Sequence, residues 1–77
     1  MKEILETMIL NLVDDKESVE IKETDNEKSI IFEIKVADKD MGKVIGRQGK
    51  LAKSIRTVMK SVAGKERKKV NVEFIEE

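Results

Sequence analysis

The sequence predicts an α+β fold in the order α-β-β-α-α-β: a three-stranded mixed sheet covered on one face by three helices. Three observations predict it. Three segments repeat apolar residues at spacings of three and four, as amphipathic helices do. Three others alternate apolar and polar residues, as strands with one buried face do. The link between the second and third strands is long and helical, which brings the third strand parallel to the second through a right-handed crossover. One sheet under one helical layer buries every apolar face together.

The first helix is read over residues 3–13, within an N-terminal unit 1–16, from the stripe Ile4, Leu5, Met8, Ile9, Leu12 and Val13; Asp14, Asp15 and Lys16 end it. A hairpin follows over 18–36. Its first strand, 18–23, turns Val19 and Ile21 inward, and Thr24-Asp25-Asn26-Glu27-Lys28 is turn chemistry. Its second strand, 29–36, puts Ile30, Phe32, Ile34 and Val36 on one face. A helix–turn–helix unit spans 38–63. Asp38 is the expected N-cap of a helix from Lys39 to Ile45, and Asp40 in its first turn suits the helix dipole. A second helix starts near Gly49 and runs to Ala63 on the stripe Leu51, Ala52, Ile55, Val58, Met59 and Val62, with Gly64 as its stop. A basic loop, 64–69, leads to a last strand, 70–75, with Val70, Val72 and Phe74 inward. Glu76-Glu77 reads as a frayed tail.

At 77 residues the chain is one small domain with a modest core. Charged residues make up 42% of it, against roughly 25% in an average globular protein. The zero net charge hides an asymmetry. Residues 1–40 hold six lysines against twelve carboxylates, a net −6; residues 41–77 hold ten Lys/Arg against four carboxylates, a net +6. Between Lys43 and Lys69 the one acidic residue is Glu66. Such segregation suggests a polyanionic partner for the basic half. With no cysteine and no histidine, the chain lacks the usual means for disulfides, common transition-metal sites and His or Cys catalysis. No cofactor is implied. Neither a signal peptide nor a membrane span is read from the sequence, so a cytoplasmic protein is expected.

The basic run centres on Gly42-Lys43-Val44-Ile45-Gly46-Arg47-Gln48-Gly49-Lys50-Leu51. A nucleotide-hydrolysing P-loop would need glycine at 44 and a hydroxyl at 51, where Val44 and Leu51 stand. The dinucleotide fingerprint also fails at Val44, and a helix rather than a strand precedes the turn. What fits is Ile-Gly-x-x-Gly between two helices. Gly46 can stop a helix sharply, and Gly49 removes a Cβ where a sugar–phosphate backbone could approach. Arg47 and Gln48 then project toward solvent. Lys43 and Lys50 flank the turn, with Lys53 and Arg56 further along one helix face. The N-terminus of the second helix favours an anion. An apolar floor is expected from Val44, Ile45 and Leu51, with part of the second strand opposite. Arg67, Lys68 and Lys69 would form the other lip. The plain alternative is a helix–turn–helix corner with no ligand.

On Val44-Ile45-Gly46-Arg47-Gln48-Gly49, followed by Leu51 and Ile55, the chain resembles the KH family in its type II arrangement. The stretch Asp40 to Lys53 is similar to the small stand-alone bacterial KH proteins. The resemblance covers the whole chain. It implies a non-enzymatic RNA chaperone or post-transcriptional regulator gripping about four nucleotides of single-stranded RNA. It also implies a homodimer, a larger KH-containing partner protein, or both. A rival expectation is a protein-interaction module of the same fold with incidental RNA contact. Catalysis is not expected: the turn carries no hydroxyl and no carboxylate pair adjoins it.

Overall fold

A computed structural model describes residues 1–75. Its order is α1 (Lys2–Leu10), β1 (Glu20–Asp25), β2 (Ser29–Lys35), α2 (Asp38–Ile45), α3 (Lys50–Lys65) and β3 (Lys69–Phe74), with short 3-10 turns at Lys16–Ser18 and Arg47–Gly49. The strand order is β1-β2-β3. β1 runs antiparallel to β2, with Ile21 opposite Ile34, and β3 runs parallel to β2, with Val72 beside Phe32. The expected mixed sheet and helical layer are present.

Alternation builds the core. Ile30, Phe32, Ile34 and Val36 are buried in a row, and Val72 joins them from β3. The helices close over them with Leu5 and Ile9 from α1, Val44 from α2, and Ile55 and Met59 from α3. Val70 and Phe74 are half-buried at the margin.

Several boundaries differ from the sequence reading. α1 ends at Leu10, yet Val13 is still buried because the chain folds back under α2. Ile4 is 43% exposed, outside the apolar stripe that lies on the core. β1 starts at Glu20 and takes in Thr24 and Asp25, leaving Asn26 to Lys28 to turn the chain, with the Asn26 N–H donating to the Ser29 carbonyl at 2.8 Å. Asp38 does not cap α2; it is the first helical residue, after Ala37.

Asp40 has a larger part than the helix dipole gives it. Its carboxylate is fully buried and accepts the backbone N–H groups of Asp14, at 3.2 Å, and Asp15, at 2.9 Å. It therefore ties the end of the α1 segment to the first turn of α2. These bonds, the Asp15 N–H foremost, hold its pKa below the usual carboxylate range against the opposing effect of burial.

Gly64 does not stop α3, which runs on to Lys65. The exit is a Schellman turn: Lys68 N–H donates to the Ala63 carbonyl at 3.1 Å and Arg67 N–H to the Gly64 carbonyl at 3.1 Å. The left-handed position falls on Arg67, at φ 59°. Glycine is the usual residue there. The tail Glu76-Glu77 lies outside the described residues.

Candidate nucleic-acid interface

The glycine turn joins α2 to α3 through three left-handed residues. Gly46 ends α2 at φ 78°, its N–H donating to the Gly42 carbonyl at 2.9 Å. Gln48 takes φ 57° and Gly49 φ 72°, and Gly49 N–H returns to the Gly46 carbonyl at 3.2 Å. The glycines have separate reasons. A Cβ on Gly46 would meet the Leu51 Cβ at 2.7 Å, so Gly46 lets α2 and α3 pack closely. A Cβ on Gly49 would meet nothing within 4 Å, so that side of the turn is open. The Arg47 and Gln48 side chains are exposed, and α3 begins with no side-chain cap.

The expected site residues divide into groups. Arg47, Gln48, Gly49, Lys50 and Lys53 lie together at the turn and the first turn of α3, and the three charged side chains make no ion pair or hydrogen bond among the described residues. Ile45 and Leu51 are half-buried beside Gly46. Val44 is a correction. At 0% exposure it belongs to the core and cannot line a groove, because it sits on the helix face turned to the sheet.

Lys43 is engaged with carboxylates: its ammonium bonds the Asp14 carboxylate and stands 3.6 Å from Asp40. The Asp14 hydrogen bond in particular raises its pKa. Lys68 is likewise occupied, donating to Asp25 at 2.8 Å across the end of the sheet, and that bond raises its pKa. Arg67 and Lys69 remain exposed at the α3–β3 loop.

The second strand does not form the opposite wall. β2 is the central strand, paired on both edges and buried beneath the helices. The free edge beside α3 belongs to β3. Lys69 N–H bonds Lys28 and Ile75 N–H bonds Ile34, so odd-numbered residues of β3 point their backbone groups toward the β2 side. By alternation, Val70, Val72 and Phe74 turn theirs to the open edge. Arg56 confirms that side: its Nε donates to the Val72 carbonyl at 3.1 Å, and its guanidinium lies over the Phe74 ring, 5.6 Å from the centroid. Lys53 and Lys60, three before and four after Arg56, stand exposed along the same flank of α3. A track thus runs from the glycine turn between α3 and β3 to Arg67. The β3 backbone is the part sequence reasoning missed. Its signal was available, since a third strand parallel to a second that already pairs in a hairpin must be an edge.

A different cleft, of about 300 Å³, opens on the other flank of α3, lined by Met8, Leu12, Leu51, Ile55 and Val58 among others. No helix is long and apolar enough to cross a membrane among the described residues.

An α-β-β-α-α-β domain with parallel β2 and β3 and a Gly-x-x-Gly turn between α2 and α3 is a KH domain of type II. Residues 2–74 match the family described as "KhpA/KhpB, KH domain", and the chain belongs to that family. It is 56% identical to the RNA-binding protein KhpA of Clostridium acetobutylicum over 75 residues, 97% of this chain and 100% of that one. It is 51% identical to the KhpA of Caldanaerobacter subterraneus over 75 residues, again 97% and 100% of the two chains. With the Chlamydia trachomatis KhpA it shares 46% identity over 77 residues, covering 100% of this chain and 99% of the relative. No solved structure gave a significant match.

Proposed function

We propose that this chain is a non-enzymatic, single-stranded RNA-binding protein that grips about four nucleotides through Gly46-Arg47-Gln48-Gly49. The observation that carries the proposal is the turn itself: an open Gly49, exposed Arg47 and Gln48 side chains, and an α3 N-terminus with no side-chain cap among the described residues. Phosphates ride the turn and the Lys50–Lys53 rim. Bases lie in the track, where Ile45 and Leu51 offer apolar contact and the β3 edge offers backbone donors and acceptors. The names of the KhpA relatives agree with this reading.

Fluorescence anisotropy with a labelled single-stranded RNA tests it. The double variant Arg47→Asp/Gln48→Asp reverses the charge at the turn while asking little of the backbone, because Asp tolerates the left-handed position at 48. Loss of binding with an unchanged fold supports the turn as the site. Wild-type affinity in that variant removes it.

The cellular role is that of a cytoplasmic RNA chaperone or post-transcriptional regulator. A single small domain binds weakly, so a homodimer or a larger KH-containing partner gains by effective concentration. A second reading, a protein-interaction module with incidental RNA contact, draws on the apolar cleft beside Val58, which is 42% exposed. Light scattering on the double turn variant separates the two roles: self-association that survives without RNA binding shows they use different surfaces.

A further inference from the structure

We propose that the free edge of β1 is a docking site for a basic, extended segment of a partner protein, which it takes up as a fourth strand of the sheet. This edge lies across the sheet from the α3–β3 track. The register shows which backbone groups it offers. Asn26 N–H donates to the Ser29 carbonyl, so the even-numbered residues of β1 turn their backbone groups to β2. The odd-numbered ones, Ile21, Glu23 and Asp25, turn theirs outward. Pairing with β2 runs from Glu20 to Asp25 without a bulge, and the strand holds no proline. Open edges are ordinarily guarded by proline, by bulges or by charge. Here charge alone stands guard.

That charge has one sign. Residues 14–27 hold seven carboxylates against two lysines, a net −5. Asp14 is paired with Lys43 and Asp25 with Lys68, while Glu20 and Glu23 stand exposed on the strand. On the helix side of the edge a recess of about 260 Å³ lies between α1 and β1, lined by Glu6, Leu10, Lys16, Val19 and Ile21.

A strand added to an edge gains affinity from its backbone hydrogen bonds and specificity from alternate side chains. This edge suits apolar residues opposite Val19 and Ile21, with Lys or Arg opposite Glu20, Glu23 and Asp25. A second copy of the same edge would bring like net charge to it, which disfavours self-pairing.

The test uses the fluorescein-labelled peptide KTRTVKV, which reads antiparallel from Asp25 to Val19. Two peptides control it. One is the charge-reversed ETETVEV. The other is KTRTVKV methylated on the backbone nitrogens opposite Glu23 and Ile21, which removes two donors and keeps the charge. By anisotropy at low salt, KTRTVKV binds at least about tenfold more tightly than either control. In amide-resolved NMR it shifts Ile21, Glu23 and Asp25. Glu23→Gln weakens it about threefold. Glu23→Pro deletes an outward N–H but no bond to β2, and weakens it at least about tenfold. Amide spectra report the fold of each variant, and the Gln variant with the methylated peptide decides should the Pro variant not fold. Equal binding of the methylated peptide reduces the contact to charge attraction and overturns strand addition. No binding of KTRTVKV, or shifts away from β1, overturns the site. Shifts at the β1 edge on raising the protein concentration alone assign the edge to a second copy and overturn the basic partner.

Discussion

Gly46 packs against Leu51 so closely that a Cβ on the glycine would stand 2.7 Å from the leucine Cβ and 3.0 Å from its backbone nitrogen. The angle between α2 and α3, and with it the shape of the turn, depends on that missing atom. Gly46→Ala should cost about 2–4 kcal/mol, from the positive φ and the forced overlap together. Gly42→Ala, on a helical residue whose new Cβ meets nothing within 4 Å, should gain about 0.5–1 kcal/mol. Urea unfolding at neutral pH measures both.

The exit of α3 offers a second stability test. Arg67 holds a left-handed conformation at φ 59° at the position where a Schellman turn favours glycine. Arg67→Gly should stabilise the fold by about 1 kcal/mol, and Gly64→Ala, inside the helix, by about 1 kcal/mol. Destabilisation of the protein in urea by Arg67→Gly would contradict the strain read at this position.

Asp40 predicts the acid response. Its folded pKa lies below its unfolded value of about 3.9. Its contribution is therefore present in full above the unfolded pKa and disappears as pH falls through the folded one. Asp40→Asn should lower the urea midpoint at pH 7, because the Asp14 and Asp15 N–H groups use different carboxylate oxygens and the amide puts an NH2 donor in place of one of them. The gap between variant and wild type should narrow below about pH 4. A gap that stays constant down to acid would show that Asp40 does not carry the linkage.

Salt dependence separates the lysines. If about four phosphates are neutralised, log affinity falls with log salt at a slope of roughly −3. Lys53→Gln should flatten that slope by about 0.7. Lys43→Gln should leave it unchanged, since Lys43 is already neutralised by Asp14 and Asp40, and should lower thermal stability instead. Anisotropy titrations between 50 and 300 mM salt, about a sixfold range, resolve the difference.

The element order and the inward residues of β2 were legible in the sequence because they rest on local periodicity, and the parallel third strand because a long helical crossover precedes it. The glycine turn was legible because Ile45-Gly46-Arg47-Gln48-Gly49 stands between two helical periodicities and fits neither the P-loop nor the dinucleotide fingerprint. Partners distant in sequence were not. Nothing near Lys43, Lys68 or Arg56 shows that Asp14, Asp25 and Val72 are waiting 29, 43 and 16 residues away. Val44 was read as groove floor together with Ile45 and Leu51; only the turn of the helix decides that Val44 is buried in the core while the other two stay half-buried. Asp40 looked like a dipole residue because its two acceptor bonds go to backbone, which carries no sequence signal. Gly64 misled as a stop because α3 runs two residues past Ala63, to Lys65, and the left-handed turn falls on Arg67.

An amide-resolved NMR titration with a pool of short single-stranded RNAs at low salt tests the central claim most directly. The account predicts shifts concentrated from Gly46 to Lys53, at Arg56, and at the Val70 and Val72 amides of the β3 edge, with little change at Lys43. Shifts spread evenly over exposed lysines, or none at the glycine turn, would contradict it.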